Sequence, residues 1–401
     1  MRIPPDSFAF TLMLGLLATL PTFGIDMLLP AMSATGAALG VPPARIGLAM
    51  SVYLLGLGGA LLFYGPVSDR YGRKPVAIFG CAITMIASIG CASAPSLPAL
   101  LAWRVVQGAG TAAPGMMAVA IVRDLFDEKA ARAKISFIVG AINVVPMIAP
   151  TCGAVILALA GWRLIYLPAF GAALLLLLVM SRGFTESASI DTTSSLTPGT
   201  VVNNYLSVLR NPACIGYILV NAAAAGAVFA YITGSSLFFI NVLGLGPEQY
   251  GLIFGASSIS VMGGAFLNGR LGLLGIAPGQ LLTLGLVLST VFSSLLLVAT
   301  LGGWTSESLV VSVMVGVALS FGFISPNATS GAMQPLPRIA GSVSAVVGLL
   351  QTTASAGSSA VVAIFFDGHS ALSMAGAMLF FSLLAAGFYL RVVYPDRKIL
   401  A

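Results

Sequence analysis

Apolar residues run through this chain in blocks of about 20, the length an α-helix needs to cross a bilayer, rather than in the short alternations of a soluble domain. Twelve such blocks are read, approximately 8–33, 46–64, 75–94, 97–120, 133–159, 163–182, 212–242, 249–267, 278–301, 308–333, 340–365 and 371–393. Short punctuation of Gly, Pro or charge separates them, so little chain is left for domains outside the membrane. The one long polar stretch, 183–211, follows the sixth block and divides the chain into one six-helix bundle over 1–182 and a second over 212–401. Matching turns after the second and eighth blocks, GPVSDRYGRK at 65–74 and NGRLGLLG at 268–275, show internal symmetry. The expected fold is therefore an all-α membrane protein of two pseudo-symmetric six-helix bundles, the plan of a secondary transporter with its substrate site between the halves.

Composition sharpens the exclusions. The 401 residues are 58% hydrophobic and 7% charged, against about 25% charged in soluble domains. A soluble enzyme does not fit, and no clustered basic surface offers itself to nucleic acid. The net charge of +6 reads as topology: with both termini cytoplasmic, fifteen of the 18 Lys and Arg fall on the inside, Arg45 and Arg163 outside, and Arg104 in the membrane. The first block is too long for a secretory signal and lacks a small-residue cleavage site directly after it, so it is expected to stay as the first helix. Cys81, Cys91, Cys152 and Cys214 have no metal or redox spacing, and no nucleotide, zinc or hydrolase pattern occurs; no cofactor is expected.

Of the 12 acids, Asp26 is the one well inside a block. A charge at the bilayer centre costs about 2.5–3.5 kcal/mol on insertion scales, which marks such a group as functional. Burial favours its neutral form and a cation its charged form, and a carboxyl under both influences can load and release a proton. Arg104, the one cation in a block, lies in WRVVQGAGTAA at 103–113. There Arg104, Gln107, Gly108 and Thr111 recur at helical spacing, and Gly108 and Gly110 admit a neighbouring helix. Pairing Asp26 with Arg104, directly or through water, is the economical expectation, since either alone is uncompensated charge in hydrocarbon. The 65–74 turn compresses Asp69, Arg70, Arg73 and Lys74 between Gly65, Pro66 and Gly72. In the fifth block Pro146 and Pro150 free backbone carbonyls and bend the helix.

These segments resemble the major facilitator superfamily. Its loop between the second and third helices reads G-x-x-x-D-R-x-G-R-K/R, and Gly65, Asp69, Arg70, Gly72, Arg73 and Lys74 fill it. Arg104, Gln107, Gly108, Gly110 and Ala112 match its fourth-helix motif R-x-x-Q-G-x-G-A-A. The antiporter motif of the fifth helix, G-x-x-x-G-P-x-x-G-G, is present in degraded form, with Ala149 before Pro150 and Ala154 for the last Gly. DMLLP at 26–30, VRD at 122–124, FAYITGSSLFF at 229–239, GLGPEQYGLIFG at 244–255, PNATSGAM at 326–333 and AGSVSAVVGLLQ at 340–351 narrow the resemblance to the bicyclomycin and chloramphenicol resistance subfamily of drug:proton antiporters.

The resemblance implies roles. The 65–74 segment would be an inside latch, with Asp69 facing a helix of the second half and Arg73 pairing with Asp124. Asp26 would be the proton and cationic-drug site, with Arg104 linked to proton transfer. The substrate site is expected to comprise Asp26, Tyr53, Gln107, Ile142, Asn143, Pro146, Phe229 and Tyr231. The implied partners are a small-molecule drug or metabolite, protons and the lipids of a bacterial inner membrane, without nucleic acid, and the chain is expected to act as a monomer. A proton-coupled uptake symporter or a dedicated exporter of one metabolite fits the same fold. A membrane-embedded enzyme or receptor is the alternative from another class, although the blocks hold no paired catalytic constellation.

Overall fold

The computed structural model describes residues 3–187 and 198–393. Arg2, Arg397 and Lys398 of the charge argument, and the middle of the polar stretch, lie outside the described residues. Among the described residues twelve helices are long and apolar enough to span a membrane: α1 (Phe8–Leu39), α2 (Pro43–Tyr71), α3 (Arg73–Ser93), α4 (Leu97–Leu125), α5 (Lys129–Ala160) and α6 (Trp162–Gly183), then α7 (Pro212–Val242), α8 (Pro247–Leu273), α9 (Pro278–Leu301), α10 (Glu307–Met333), α11 (Pro337–Phe365) and α12 (Leu372–Val393). A further helix, Pro198–Arg210, lies in the polar stretch and is called the linker helix.

Proline chemistry explains the irregularities. In α1 the regular helix stops at Asp26 and a 3-10 turn follows over Leu29–Ala31, because Pro30 has no N–H for the Asp26 carbonyl and its ring crowds that carbonyl. The partner element in the second half is irregular too: α7 ends in a π-helical turn over Leu237–Val242. The 65–74 segment corrects the expectation of a tight turn. The helix runs on through Gly65 and Pro66 to Tyr71, so Asp69 and Arg70 are helical, and the reversal shrinks to Gly72 at φ 100°. That left-handed backbone strains any residue with a Cβ. α5 stays helical through both Pro146 and Pro150.

The two halves meet mainly through α2 against α11 and α5 against α8. At the end away from the linker a single apolar core runs through both halves, joining Leu28, Leu29 and Met50 to Tyr231, Phe239 and Phe254. Two hydrogen bonds tie α1 to α7 there, Ser236 Oγ to the Leu29 carbonyl at 2.5 Å and Ser33 Oγ to Asn241 Oδ1 at 3.0 Å. At the linker end the cores separate: Phe10, Leu14 and Phe184 belong to a cluster of the first half, and Ile218, Val343 and Val346 to one of the second. Between them lies a cavity of about 310 Å³ lined by both halves. The halves thus share a core at the far end and are separated by a cavity at the linker end.

Within the first half, α2 and α4 touch backbone to backbone. A Cβ on Gly108 would collide with the Tyr53 carbonyl, and one on Gly56 with that of Val105. Gly108→Ala should lower stability by about 1–3 kcal/mol, the usual range for overpacking, and Gly108→Leu should prevent accumulation of folded protein. Thermal unfolding in detergent checks this; an unchanged midpoint for the Ala variant would mean the helices can part without loss.

Candidate functional site

The close approach at Gly108 lays Tyr53 of α2 across Arg104 of α4. The guanidinium carbon sits 4.3 Å from the Tyr53 ring centroid, and Arg104 is fully buried. Its Nε donates to the Ala49 carbonyl at 3.2 Å and its Nη1 to Gln107 Oε1 at 2.6 Å, while Gln107 Nε2 donates to Ser88 Oγ at 2.9 Å. Nη2 is buried without a hydrogen-bond partner. The Tyr53 hydroxyl donates to the Pro21 carbonyl of α1 at 2.7 Å and has the Thr111 hydroxyl at 2.8 Å. Its ring lies so close to Gly24 that a Cβ there would strike it.

Asp26 lies where α1 leaves its helix, 3% exposed, with Oδ2 buried and unpartnered. No direct ion pair joins it to Arg104, which corrects the direct form of the expected pairing. Tyr53 lies within electrostatic reach of both groups, and Arg104 gives its Nε and Nη1 donors to Ala49 and Gln107. From the second half, Tyr231 on α7 and Tyr250 on α8 lie within electrostatic reach of Asp26. Phe229, on another face of α7, packs at the edge of a cluster formed by Tyr53, Leu54, Leu57 and Ala112 of the first half and Ala356 of the second.

The other expected lining residues separate. Gln107 is fully buried behind Arg104 against α3, not in a cavity, because its amide is held between Arg104 and Ser88. An apolar cleft of about 360 Å³ runs between α1 and α5, lined by Leu12, Leu16, Thr19 and Phe23 on one side and Phe137, Ala141, Val144 and Val145 on the other. Ile142, Asn143 and Pro146 do not line it, and Asn143 Nδ2 is spent on the Val139 carbonyl of its own helix. The α1 positions of the cleft continue at helical spacing toward Asp26.

At the linker end Arg73 gathers the charges. Its Nε donates to Asp124 Oδ2 at 3.0 Å and its Nη1 to Asp69 Oδ1 at 2.5 Å and Ser68 Oγ at 2.6 Å. Asp69 faces the cavity whose opposite wall includes Arg338 and Ser342 at the start of α11. Arg70 lies against the Tyr71 ring, apart from these acids. Glu186 was not singled out in the sequence. Its two carboxylate oxygens accept the backbone N–H groups of Arg73 at 2.9 Å and Lys74 at 3.1 Å, placing an anion on the free N–H groups that open α3. Lys74 Nζ returns to the Phe184 and Ser181 carbonyls at the end of α6. The readable signal was an acid directly after an apolar block, opposite a basic turn.

Twelve spans in two bundles, a buried acid and cation in the membrane and an ion cluster at the linker end define a membrane transporter. The family model described as Major Facilitator Superfamily matches residues 14–362, and the chain belongs to that family. It is 30% identical over 349 residues to multidrug resistance protein D of Escherichia coli and 27% identical over 349 residues to a bicyclomycin resistance protein homolog of Haemophilus influenzae, each comparison covering 86% of both chains. In fold it is similar to a bacterial homolog of the human lysosomal transporter Spinster solved in an inward-facing, occupied conformation. That match has a TM-score of 0.77 at 16% identity over 97% of each chain.

Proposed function

We propose that this protein exports small lipophilic neutral or cationic compounds from the cytoplasm in exchange for protons, by rocking of its two halves about a site at Asp26. One observation carries the reading: a buried carboxyl with an unpartnered oxygen, where α1 leaves its helix beside the core shared by the two halves. Burying an unpaired carboxylate costs far more than burying the neutral acid, so the group accepts either a proton or an external cation in its place. Proton and cationic substrate then exclude one another at one carboxyl, which is the requirement for exchange. The apolar α1–α5 cleft suits the lipophilic part of such a compound. The relatives named for multidrug and bicyclomycin resistance support the same substrate class.

The linker face is assigned to the cytoplasm, with both termini there, because the Lys and Arg of the loops gather on that side. The protein works as a monomer, without nucleic acid and without chemical conversion of its cargo. Each charge crossing 100 mV yields about 2.3 kcal/mol, to which a pH gradient adds. Drug susceptibility and accumulation in a pump-deficient host, with the proton gradient intact and then collapsed, test the reading. Expression should lower accumulation of some lipophilic cations only while the gradient stands. A panel with no compound affected speaks against export.

The Arg73 cluster is the latch of this cycle. Arg73→Ala should slow turnover by roughly tenfold, the scale of losing a charge-assisted hydrogen bond, with substrate affinity kept, because the cluster is remote from the midplane. Equilibrium binding beside initial transport rates separates the two effects. An intact rate would reduce the segment to a topology signal.

A further inference from the structure

Pro66 has no N–H, so the carbonyl of Leu62, four residues earlier in α2, loses its helical donor. The Tyr205 hydroxyl of the linker helix donates to that carbonyl at 2.9 Å. The same helix is seated on the second half: Val208 is fully buried with Cys214, Ile218, Val343 and Val346, and the Tyr205 ring packs at the edge of that cluster. Burial first, and then the Asp69 carboxylate, hold the Tyr205 phenol above its ordinary range, so it keeps its donor proton. One short helix therefore grips the second half with its apolar face and the first half with one hydroxyl.

Its position gives that grip a consequence. Asn204 and Tyr205 form part of the wall of the 310 Å³ cavity that separates Asp69 and Asp124 from Arg338 and Ser342. Closing the linker side means collapsing this space, and the linker helix stands in it. We infer that the linker helix is a wedge holding the halves apart at the linker end, and that Tyr205 pins the wedge by supplying the hydrogen bond that Pro66 denies to Leu62. The inference concerns the conformational equilibrium alone and does not depend on which compound is carried.

Spin labels at Lys129→Cys and Leu274→Cys, exposed sites on the linker-end termini of α5 and α8, report that equilibrium in the full chain without substrate. Tyr205→Phe keeps the ring in the apolar cluster and removes only the hydroxyl. It should move the open-to-closed ratio toward closed by about threefold to tenfold, the scale of one hydrogen bond. Pro66→Ala restores the helical N–H to Leu62, so in that background Tyr205→Phe should shift the ratio by less than about twofold. An unchanged distance distribution in Tyr205→Phe overturns the wedge. An equal shift in both backgrounds overturns the role of Pro66 and Leu62, and a lowered thermal midpoint without a distance change marks Tyr205 as packing only.

Discussion

Asp26→Asn should give a folded, membrane-inserted protein whose gradient-driven export of a cationic compound falls by about two orders of magnitude or more, the scale of losing a proton-transferring group. Little stability is at stake, because Asp26 Oδ2 has no partner to lose and an amide keeps the volume and can still hydrogen-bond. Affinity should separate by charge: a cationic compound binds the variant more weakly, a neutral one about as before. In the unsubstituted protein cation affinity should rise with pH as the carboxyl loses its proton, and in Asp26→Asn it should be flat. Transport in proteoliposomes with an imposed gradient, beside binding over a pH series, checks both. A normal gradient-driven rate in the variant would remove Asp26 from the mechanism.

Arg104→Ala should do a different kind of damage. It strips the Ala49 carbonyl and Gln107 Oε1 of a charged donor and the Tyr53 ring of its cation, all in a fully buried setting. Losing hydrogen bonds from a charged donor costs about 1.5–3 kcal/mol, and Arg104→Lys recovers little, since an ammonium cannot span both acceptors with the geometry of a guanidinium. Because Arg104 does not pair with Asp26, its removal should lower stability and turnover together and leave the pH optimum of transport in place. Thermal unfolding and pH–rate profiles of the two variants make the comparison. A pH optimum that moves in Arg104→Ala would mean the two charges act as one unit across Tyr53.

The twelve spans were legible because bilayer thickness fixes helix length, and the ends alone drifted: α2 continues seven residues past the expected 64, through a Gly-Pro pair that usually signals a turn. The meeting of Arg73 with Asp124 across two helices came from the family resemblance, not from spacing. Gly108 was readable as a close approach, but not that α2 would fill it, nor that this would slide the Tyr53 ring over Arg104 and toward Asp26. Charge counting pairs the one buried acid with the one buried cation; it has no term for an aromatic ring stacked on the cation. Helical spacing placed Gln107 on the face of Arg104 and Thr111, yet that face is divided between α2 and α3, which turns Gln107 inward to Ser88. In the linker helix the signal was present, with apolar residues at 201, 205 and 208 on one face of a polar stretch.

The central claim is that proton and substrate share the Asp26 carboxyl. Proton release on substrate binding measures it most directly: purified protein in weakly buffered detergent, titrated with a lipophilic cation while a pH indicator is followed. The account predicts release of up to one proton per bound cation for the unsubstituted protein and for Arg73→Ala, and none for Asp26→Asn at cation concentrations that still saturate it. Undiminished release from saturated Asp26→Asn would contradict it, since it would place the exchanged proton on another group.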